Sequence, residues 1–428
     1  MNFKLALAAA AIVGVAGTAQ AADLGKKAPA AANYVKVCDA YGAGFFYIPG
    51  SETCLKIGGY ARFQLSAYGP SNNWLATHGG LFGWKRGLNG ISTLARADVT
   101  IDARTSTEMG LLRSMIEVVA DNFSYGAGGG TNVYLAKAFV QFGGLTAGRG
   151  QSFFDFITGG SGPFTLSSTA SLVPDAHVNM LAYTFSFGNG ISATLSVEDP
   201  STSANTNPAG SSAAWRRTPY DATSAAVVAG AGGAYGGVHT PDLVANVNVT
   251  QAWGSAQLSA VLHDDAPAPH GVAGKLGWAV LGGVKVNLPM LGEGDVLGVQ
   301  ATYGQGAVGY VLNGWQGGPA VTTRDFFYNA AGTGIDQASA YSIYAALTHN
   351  FSKKVFATVG GGYAAYDAPA IANGNDYSFV DVRGTLGWKP VSGLLVAGEV
   401  GYKRVDYRAG GIPDADALQF DLRIQRSF

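Results

Sequence analysis

Alternation of polar and apolar residues is the feature that most limits how this chain can fold. Between Leu94 and Arg104, every even-numbered residue except Leu94 is polar, and every odd-numbered residue is apolar. This period of two is typical of a β-strand whose two faces meet different surroundings. We count sixteen such segments, at 56–67, 91–104, 109–120, 132–142, 145–151, 179–187, 191–199, 241–252, 255–264, 276–287, 294–304, 338–351, 354–366, 376–389, 393–405 and 417–428. Counts of fourteen or eighteen fit the same pattern, because residues 199–241 are difficult to divide.

The connections between these segments alternate between tight and long. Tight links are predicted at Thr105-Ser106, Gly143-Gly144, Gly188-Asn189-Gly190, Gly254 and Ser352-Lys353. Long links are predicted at 68–90, 121–131, 152–178, 200–240, 265–275, 305–337 and 367–375. Bacterial outer-membrane barrels show this alternation, with short periplasmic turns and long extracellular loops. The sequence therefore predicts an all-β fold, a transmembrane antiparallel β-barrel whose apolar faces meet lipid and whose charged faces enclose water.

The first residues indicate export. Residues 1–21 combine Lys4, an apolar core and the small-residue pattern Ala19-Gln20-Ala21, as a secretory signal peptide does. The alternative, an N-terminal membrane anchor, needs about 20 apolar residues in a row. We expect residues 22–55 to form an N-terminal periplasmic segment and residues 56–428 to form the barrel.

The two cysteines, Cys38 and Cys54, flank a segment rich in turn-forming residues. An oxidising periplasm favours a disulfide bond between them. The alternative is a pair of buried free thiols. Metal binding is not expected here, because no histidine lies near either cysteine in the sequence.

The last predicted strand ends on an aromatic residue, Phe428. A terminal phenylalanine can be an ordinary aromatic residue. Here it follows an alternating strand on a chain with an export signal. We expect this combination to be recognised by the outer-membrane assembly machinery.

Composition argues against several classes of function. The formal net charge is −1, which is too balanced for a nucleic-acid binder. The six histidines are scattered without the spacing of a metal site, and Gly148-Arg149-Gly150 lacks the context of a phosphate-binding loop. His263-Asp264-Asp265 resembles part of a hydrolytic dyad, but a solvated strand end explains it more simply. We therefore expect no enzyme, no cofactor and no metal.

Two long motifs carry a resemblance to a known family. They are VCDAYGAGFFYIPG at residues 37–50 and ETCLKIGGY at residues 52–60, and the match continues to Arg426-Ser427-Phe428. This arrangement resembles the alphaproteobacterial porin family. The resemblance implies a sixteen-stranded homotrimeric porin in the outer membrane of a Gram-negative bacterium, in contact with lipid and lipopolysaccharide. Such porins let small hydrophilic solutes diffuse passively.

The resemblance also implies that the third long loop, about 152–178, folds into the barrel. Its charged residues are Asp155 and Asp175. Facing it we expect water-side arginines of strands that become neighbours when the barrel closes, namely Arg62, Arg96, Arg113 and Arg423. Together these six residues form the predicted pore constriction. The alternative is that the arginines are ordinary lumen residues paired with Asp98, Glu117 or Asp421.

Two other functions remain open at this point. The long loops could serve specific uptake of one solute or adhesion to a receptor. A soluble secreted β-protein is the third possibility, and it predicts extraction without detergent.

Overall fold

A computed structural model describes residues 36–73, 90–125, 128–158, 173–202, 216, 235–268, 270–312, 321, 323–372, 374–408 and 410–428. The predicted signal peptide lies outside these residues, as does the predicted N-terminal segment up to residue 35. Among the helices within the described ranges, none is long and apolar enough to cross a bilayer.

Sixteen antiparallel strands form one closed barrel. A two-residue strand, β1 (Phe46–Tyr47), precedes them and pairs with the start of β2. The barrel strands are β2 (Cys54–Asn72), β3 (Ile91–Thr107), β4 (Gly110–Tyr125), β5 (Gly128–Phe142), β6 (Leu145–Gln151), β7 (His177–Gly188), β8 (Ile191–Asp199), β9 (Asp242–Gln251), β10 (Gly254–Asp265), β11 (Lys275–Asn287), β12 (Val296–Gln305), β15 (Ser339–Asn350), β16 (Val355–Asp367), β17 (Tyr377–Trp388), β18 (Leu394–Tyr407) and β19 (Ala415–Ser427). Each strand pairs with the next, and β19 pairs with β2 to close the sheet.

The two faces of the strands differ as the alternation predicts, and β17 shows this most clearly. Asp381 and Arg383 point inward and are almost inaccessible, at 1% exposure each. Between and beyond them, Val382 and Leu386 point outward and are 47% and 58% exposed. Outward apolar side chains recur around the barrel, among them Phe63, Val99, Ile116, Leu195, Leu258, Ile343, Val400 and Ile424. The barrel therefore presents an apolar outer surface to lipid and a polar inner surface to its lumen.

The prediction of sixteen barrel strands is confirmed, and several of its boundaries are wrong. The long loop predicted at 121–131 does not form, because β4 continues to Tyr125 and β5 already begins at Gly128. Glycines 128–130 have no side chains and so give no polar–apolar alternation from which the strand could be predicted. Their backbone nevertheless pairs with Phe123 and its neighbours. The tight turn predicted at Thr105-Ser106 lies further on, at residues 108–109, since β3 runs to Thr107.

The first barrel strand is also longer than predicted. It begins at Cys54 rather than at residue 56 and ends at Asn72 rather than at residue 67. The short β1 provides the reason for the early start, since Tyr47 pairs with Cys54 and Phe46 with Leu55. The disulfide segment is thus joined directly to the edge of the barrel.

Several loops fold into the barrel at the end that carries the long connections. The connection between β12 and β15 contains one helical turn, α1 (Gly309–Leu312), and a small hairpin of β13 (Phe326–Tyr328) and β14 (Ile335–Gln337). All four residues of α1 are buried. Val311 and Leu312 belong to an apolar cluster formed with inward residues of the later strands, among them Ala340, Tyr344, Ala364, Tyr366, Phe379 and Val405. This cluster occupies part of the barrel interior.

Candidate functional site

The four predicted arginines lie on four neighbouring strands of the inner wall. Arg423, Arg62, Arg96 and Arg113 lie on β19, β2, β3 and β4, which are consecutive in the closed sheet. Arg62 is directly opposite Arg96 in the β2–β3 ladder, and it is opposite Gln425 in the β19–β2 ladder. The sequence placed these side chains on the water side of neighbouring strands, and the structure brings Arg423, Arg62 and Arg96 together there as an arginine wall. Arg113 is not part of this wall, because it lies opposite Arg104, eight residues along β3 from Arg96, toward the end that carries the N-terminal segment.

The four guanidinium groups have two kinds of partner. Arg96 forms a bidentate ion pair with Asp121, with nitrogen–oxygen distances of 2.6 and 2.8 Å. Arg113 forms an equivalent pair with Asp102, at 2.9 Å for both contacts. In contrast, Arg62 donates to Oε1 of Gln425 at 2.8 Å.

Arg423 also donates to a neutral amide, Oε1 of Gln64, at 3.0 and 2.7 Å. The alternative partners considered from the sequence also make contacts of their own. Glu117 pairs with Lys137 at 2.8 Å, and Asp421 accepts hydrogen bonds from Ser66 and Gln419. The partner of each arginine depends on strand register, because the register decides which carboxylate of the adjacent strand lies beside it.

The described residues that follow β6 run along the opposite wall. Phe153 O accepts a hydrogen bond from Asn246 of β9 at 2.6 Å, and Asp155 O accepts one from Gln257 of β10 at 3.1 Å. Further on, Phe156 O accepts a hydrogen bond from Lys285 of β11 at 3.1 Å.

The last of these contacts joins Ile157 N to Oε1 of Gln300 on β12, at 2.8 Å. In a closed barrel of sixteen strands, β9–β12 lie half a turn from β19 and β2–β4. The segment 153–157 therefore lies on the side of the barrel opposite the strands that carry the arginine wall.

Asp155 is enclosed within this segment. Its side chain is fully inaccessible and forms an ion pair with Arg216, whose side chain is equally inaccessible. The second carboxylate oxygen accepts a hydrogen bond from Ala176 N at 2.8 Å. Asp155 therefore holds three stretches of chain together instead of presenting a bare carboxylate to the lumen.

Asp175 lies beside this pair. Burial, together with the neighbouring Asp155, raises the pKa of Asp175 to about 7. At acidic pH this side chain is a neutral hydrogen-bonding group. Its charge develops only near neutrality.

A polar network that sequence reasoning did not identify continues from Arg216. The Arg216 guanidinium lies 4.2 Å from the centre of the Tyr310 ring, and the Tyr310 hydroxyl donates to Asp242. His263 Nδ1 lies 2.8 Å from the same carboxylate, and His263 Nε2 lies 3.0 Å from the hydroxyl of Tyr235. The idea that His263-Asp264-Asp265 is a solvated strand end is therefore wrong, because His263 and Asp265 are buried beneath residues of two loops.

A second group of buried charges lies on β17–β19. Arg383 forms ion pairs with Asp381 at 2.9 Å and with Glu399 at 3.2 Å. Alternation predicts that these residues face inward. It does not predict that Arg383 is buried, because burial depends on how the surrounding side chains pack.

The N-terminal segment covers the opposite mouth of the barrel near β2 and β3. The predicted Cys38–Cys54 disulfide is present, and both cysteines pack with Phe45. The Phe45 ring lies 4.9 Å from the guanidinium carbon of Arg104, which is on the inner face of β3. At the same end, Phe428 N donates to Gly59 O at 3.1 Å, and the Phe428 side chain is exposed.

A closed antiparallel barrel with an apolar exterior and a charged interior defines the class of protein, an outer-membrane β-barrel. Comparison with known families identifies the particular group. The chain belongs to the porin subfamily, whose family model matches residues 25–421.

Relatives and solved structures agree with this assignment. The porin Omp2b of Brucella suis biovar 1 is 35% identical over 208 residues, which are 46% of this chain and 54% of that porin. The chain thus spans about half the length of the curated relatives it matches.

Two solved structures share the fold. The outer membrane channel DcaP of Acinetobacter baumannii is 15% identical, with a TM-score of 0.65 over 89% of this chain and 99% of that one. OmpF of Salmonella typhi, solved with daunomycin, is 11% identical, with a TM-score of 0.51 over 89% and 99%.

Proposed function

We propose that this chain forms a water-filled channel through the outer membrane for passive diffusion of small hydrophilic solutes and ions. The observation that carries the proposal is an apolar outer face that recurs around the barrel, together with buried charged residues on the inner face of many of its strands. A closed sheet of this size leaves a lumen that side chains alone do not fill. Solutes then move down their own concentration gradients, and no energy source is required.

We propose that the constriction lies between segment 153–157 and the arginine wall. Arg62 would contribute most of the local positive potential, because its guanidinium group donates to the neutral amide of Gln425. Arg423, which donates to the amide of Gln64, would add to it. Arg96 would contribute less, since it shares a bidentate contact with Asp121, and Arg113 would act nearer the other end of the lumen, where it pairs with Asp102. The rigid guanidinium group of Arg96 would still shape the wall.

The two acidic residues of the loop have different roles in this proposal. Asp155 would fix the loop against the wall through Arg216 and the backbone of Ala176. Asp175 would add negative charge near the loop only above the pH at which it ionises. Neither residue is proposed to react with a solute.

The proposed partners follow from family membership and surface chemistry. We propose a homotrimer embedded in lipid and lipopolysaccharide through the apolar outer face. The exposed Phe428 would provide the contact for the outer-membrane assembly machinery. The activity proposed is that of a channel and not that of an enzyme.

Recording current across a planar bilayer tests the proposal. Detergent-extracted protein should add conductance in discrete steps, three per insertion event if the trimer is correct. Reversal potentials in a salt gradient should then give the ion preference. Protein that inserts as a folded barrel and adds no conductance would overturn the proposal.

A further inference from the structure

The hydroxyl group of Tyr235 is surrounded by three groups that exchange protons. It lies 3.0 Å from His263 Nε2, 2.9 Å from Asp265 Oδ1 and 2.9 Å from Asp325 Oδ2. His263 and Asp265 belong to the wall strand β10, whereas Tyr235 and Asp325 belong to two different loops. All four side chains are buried.

Hydrogen counting shows that this arrangement holds extra protons. Three two-centre hydrogen bonds to one oxygen atom use three hydrogen atoms, and the hydroxyl group supplies one of them. The other two must come from His263, Asp265 or Asp325. Either the imidazole carries a proton on Nε2 and one acid is protonated, or both acids are protonated.

The remaining atoms of the acids fit this count. Asp325 Oδ1 accepts a hydrogen bond from Val308 N at 2.7 Å, and Asp265 Oδ2 accepts one from Gln337 Nε2 at 2.7 Å. Each acid thus has one oxygen atom occupied by an N–H donor and the other directed at Tyr235. The extra protons therefore lie on His263 Nε2 or on the carboxyl oxygens that face the hydroxyl group.

Other charged groups surround the cluster on every side. From β9, Asp242 accepts hydrogen bonds from His263 and from Tyr310 of the β12–β15 connection. Arg216 lies over the Tyr310 ring and pairs with Asp155. Lys275, opposite Asp265 in the β10–β11 ladder, lies 3.8 Å from Asp336.

Burial beside Asp265 and Asp325 also raises the pKa of Tyr235 well above its usual range, so its own proton is retained.

We propose that Tyr235, His263, Asp265 and Asp325 form a proton-dependent latch that fastens two extracellular loops inside the barrel and releases them as the pH rises. Loss of one shared proton leaves two oxygen or nitrogen lone pairs facing each other at contact distance, and it adds negative charge to a buried site. The closed state binds more protons than the open state, so alkaline pH favours opening.

Release of the latch would widen the lumen on the side of β9–β12. Asp325 starts the β13–β14 hairpin, and its contact with Val308 also anchors the turn that leads into α1. These buried residues occupy interior space that water and solutes would otherwise fill. The effect on conductance rests on the proposed channel function, whereas the effect on loop attachment does not.

Two variants test the latch in the full-length protein. In the double variant Asp265→Asn/Asp325→Asn, the amide groups donate hydrogen bonds to the Tyr235 hydroxyl oxygen at any pH. The hydroxyl group in turn donates a hydrogen bond to Nε2 of neutral His263. Tyr235→Phe removes the central oxygen and leaves the ring. The matched control is Asp264→Asn, on the residue next to Asp265, whose side chain points away from the cluster.

The first measurement is single-channel conductance between about pH 6 and about pH 10. We expect the conductance of the wild type and of Asp264→Asn to rise with pH. The double variant should lose this rise and keep the low value, and Tyr235→Phe should show the high value throughout. A wild-type conductance that does not change with pH would overturn the latch, as would a double variant that retains the rise.

The second measurement is amide hydrogen exchange of residues 323–328 at one neutral pH, which does not depend on conduction. Tyr235→Phe should lose protection there, while Asp264→Asn should keep it. Equal protection in the wild type and Tyr235→Phe would overturn the latch. If no variant conducts but exchange follows the expected order, the channel proposal fails and the attachment of the loops stands.

Discussion

Arg62 lies directly opposite Arg96 in the ladder between the first two barrel strands. Like charges at directly opposed positions destabilise a sheet. Two contacts compensate here, since Asp121 pairs with Arg96 and the Tyr60 ring lies 4.6 Å from the guanidinium carbon of Arg62. The wall therefore keeps a concentration of positive charge that folding alone would not favour, which is expected of a site that acts on solutes.

The substitution Arg62→Gln should shift the ion preference of the channel toward cations. The side chain remains polar, but one positive charge is removed where the lumen faces segment 153–157. The shift of the reversal potential in a salt gradient measures the change. Arg404→Gln is the control, because Arg404 is exposed and already pairs with Asp406 and Asp414. Equal shifts in both variants would contradict a local role for Arg62.

Removing one partner of the Asp155–Arg216 pair should destabilise the folded loop strongly. Asp155→Asn leaves the Arg216 guanidinium buried without its carboxylate, which costs about 3–5 kcal/mol in comparable sites. Combining Asp155→Asn with Arg216→Gln should recover part of this loss, because the buried guanidinium group is then removed together with the carboxylate that it pairs with. Chemical denaturation of the four proteins in detergent measures the coupling. Additive losses would show that the two side chains act independently.

The barrel could be predicted from the sequence because the features that define each strand lie within that strand and its turns. Alternation identifies each strand, and glycine- or polar-rich turns separate them, so the count does not depend on distant contacts. Errors arose where side chains carry no pattern, as at glycines 128–130, or where pairing with β1 extends a strand. The arginine wall followed from the same alternation together with the closure of the sheet.

The partners of the site residues could not be predicted in the same way. Arg96 selects Asp121 because of the register between β3 and β4, which alternation does not fix. Arg216, Tyr235 and Asp325 lie in loops without periodicity, and their burial depends on contacts between segments far apart in sequence. Asp242 and His263 could have indicated this site from the sequence, since alternation places both on the inner face near the end of a barrel strand.

Stability should depend on pH through Asp175. Its pKa is raised to about 7 from an unfolded value of about 3.9, so the folded state binds the proton more tightly. Its contribution is therefore complete below about pH 4, falls as the pH rises toward 7, and is constant above that. Denaturation of the wild type and of Asp175→Asn across this range measures the difference. Parallel pH profiles for the two proteins would contradict the burial of Asp175.

Loss of the Cys38–Cys54 disulfide should loosen the N-terminal segment 36–53 and leave the barrel closed. The bond joins residues 16 positions apart, and a loop of this size contributes about 3 kcal/mol in the chain-entropy model. The double variant Cys38→Ala/Cys54→Ala should expose residues 36–53 to protease, and reductant should do the same to the wild type. Unfolding of the barrel strands themselves would show that the bond has a wider role.

The release of sugars from liposomes tests the central claim most directly. Liposomes that contain the folded protein should release small sugars, and the rate should fall as the size of the sugar increases. Liposomes prepared with the same protein after heat unfolding should remain sealed. If the folded barrel is inserted and the smallest sugar is still retained, the lumen is not a continuous column of water and the account is contradicted.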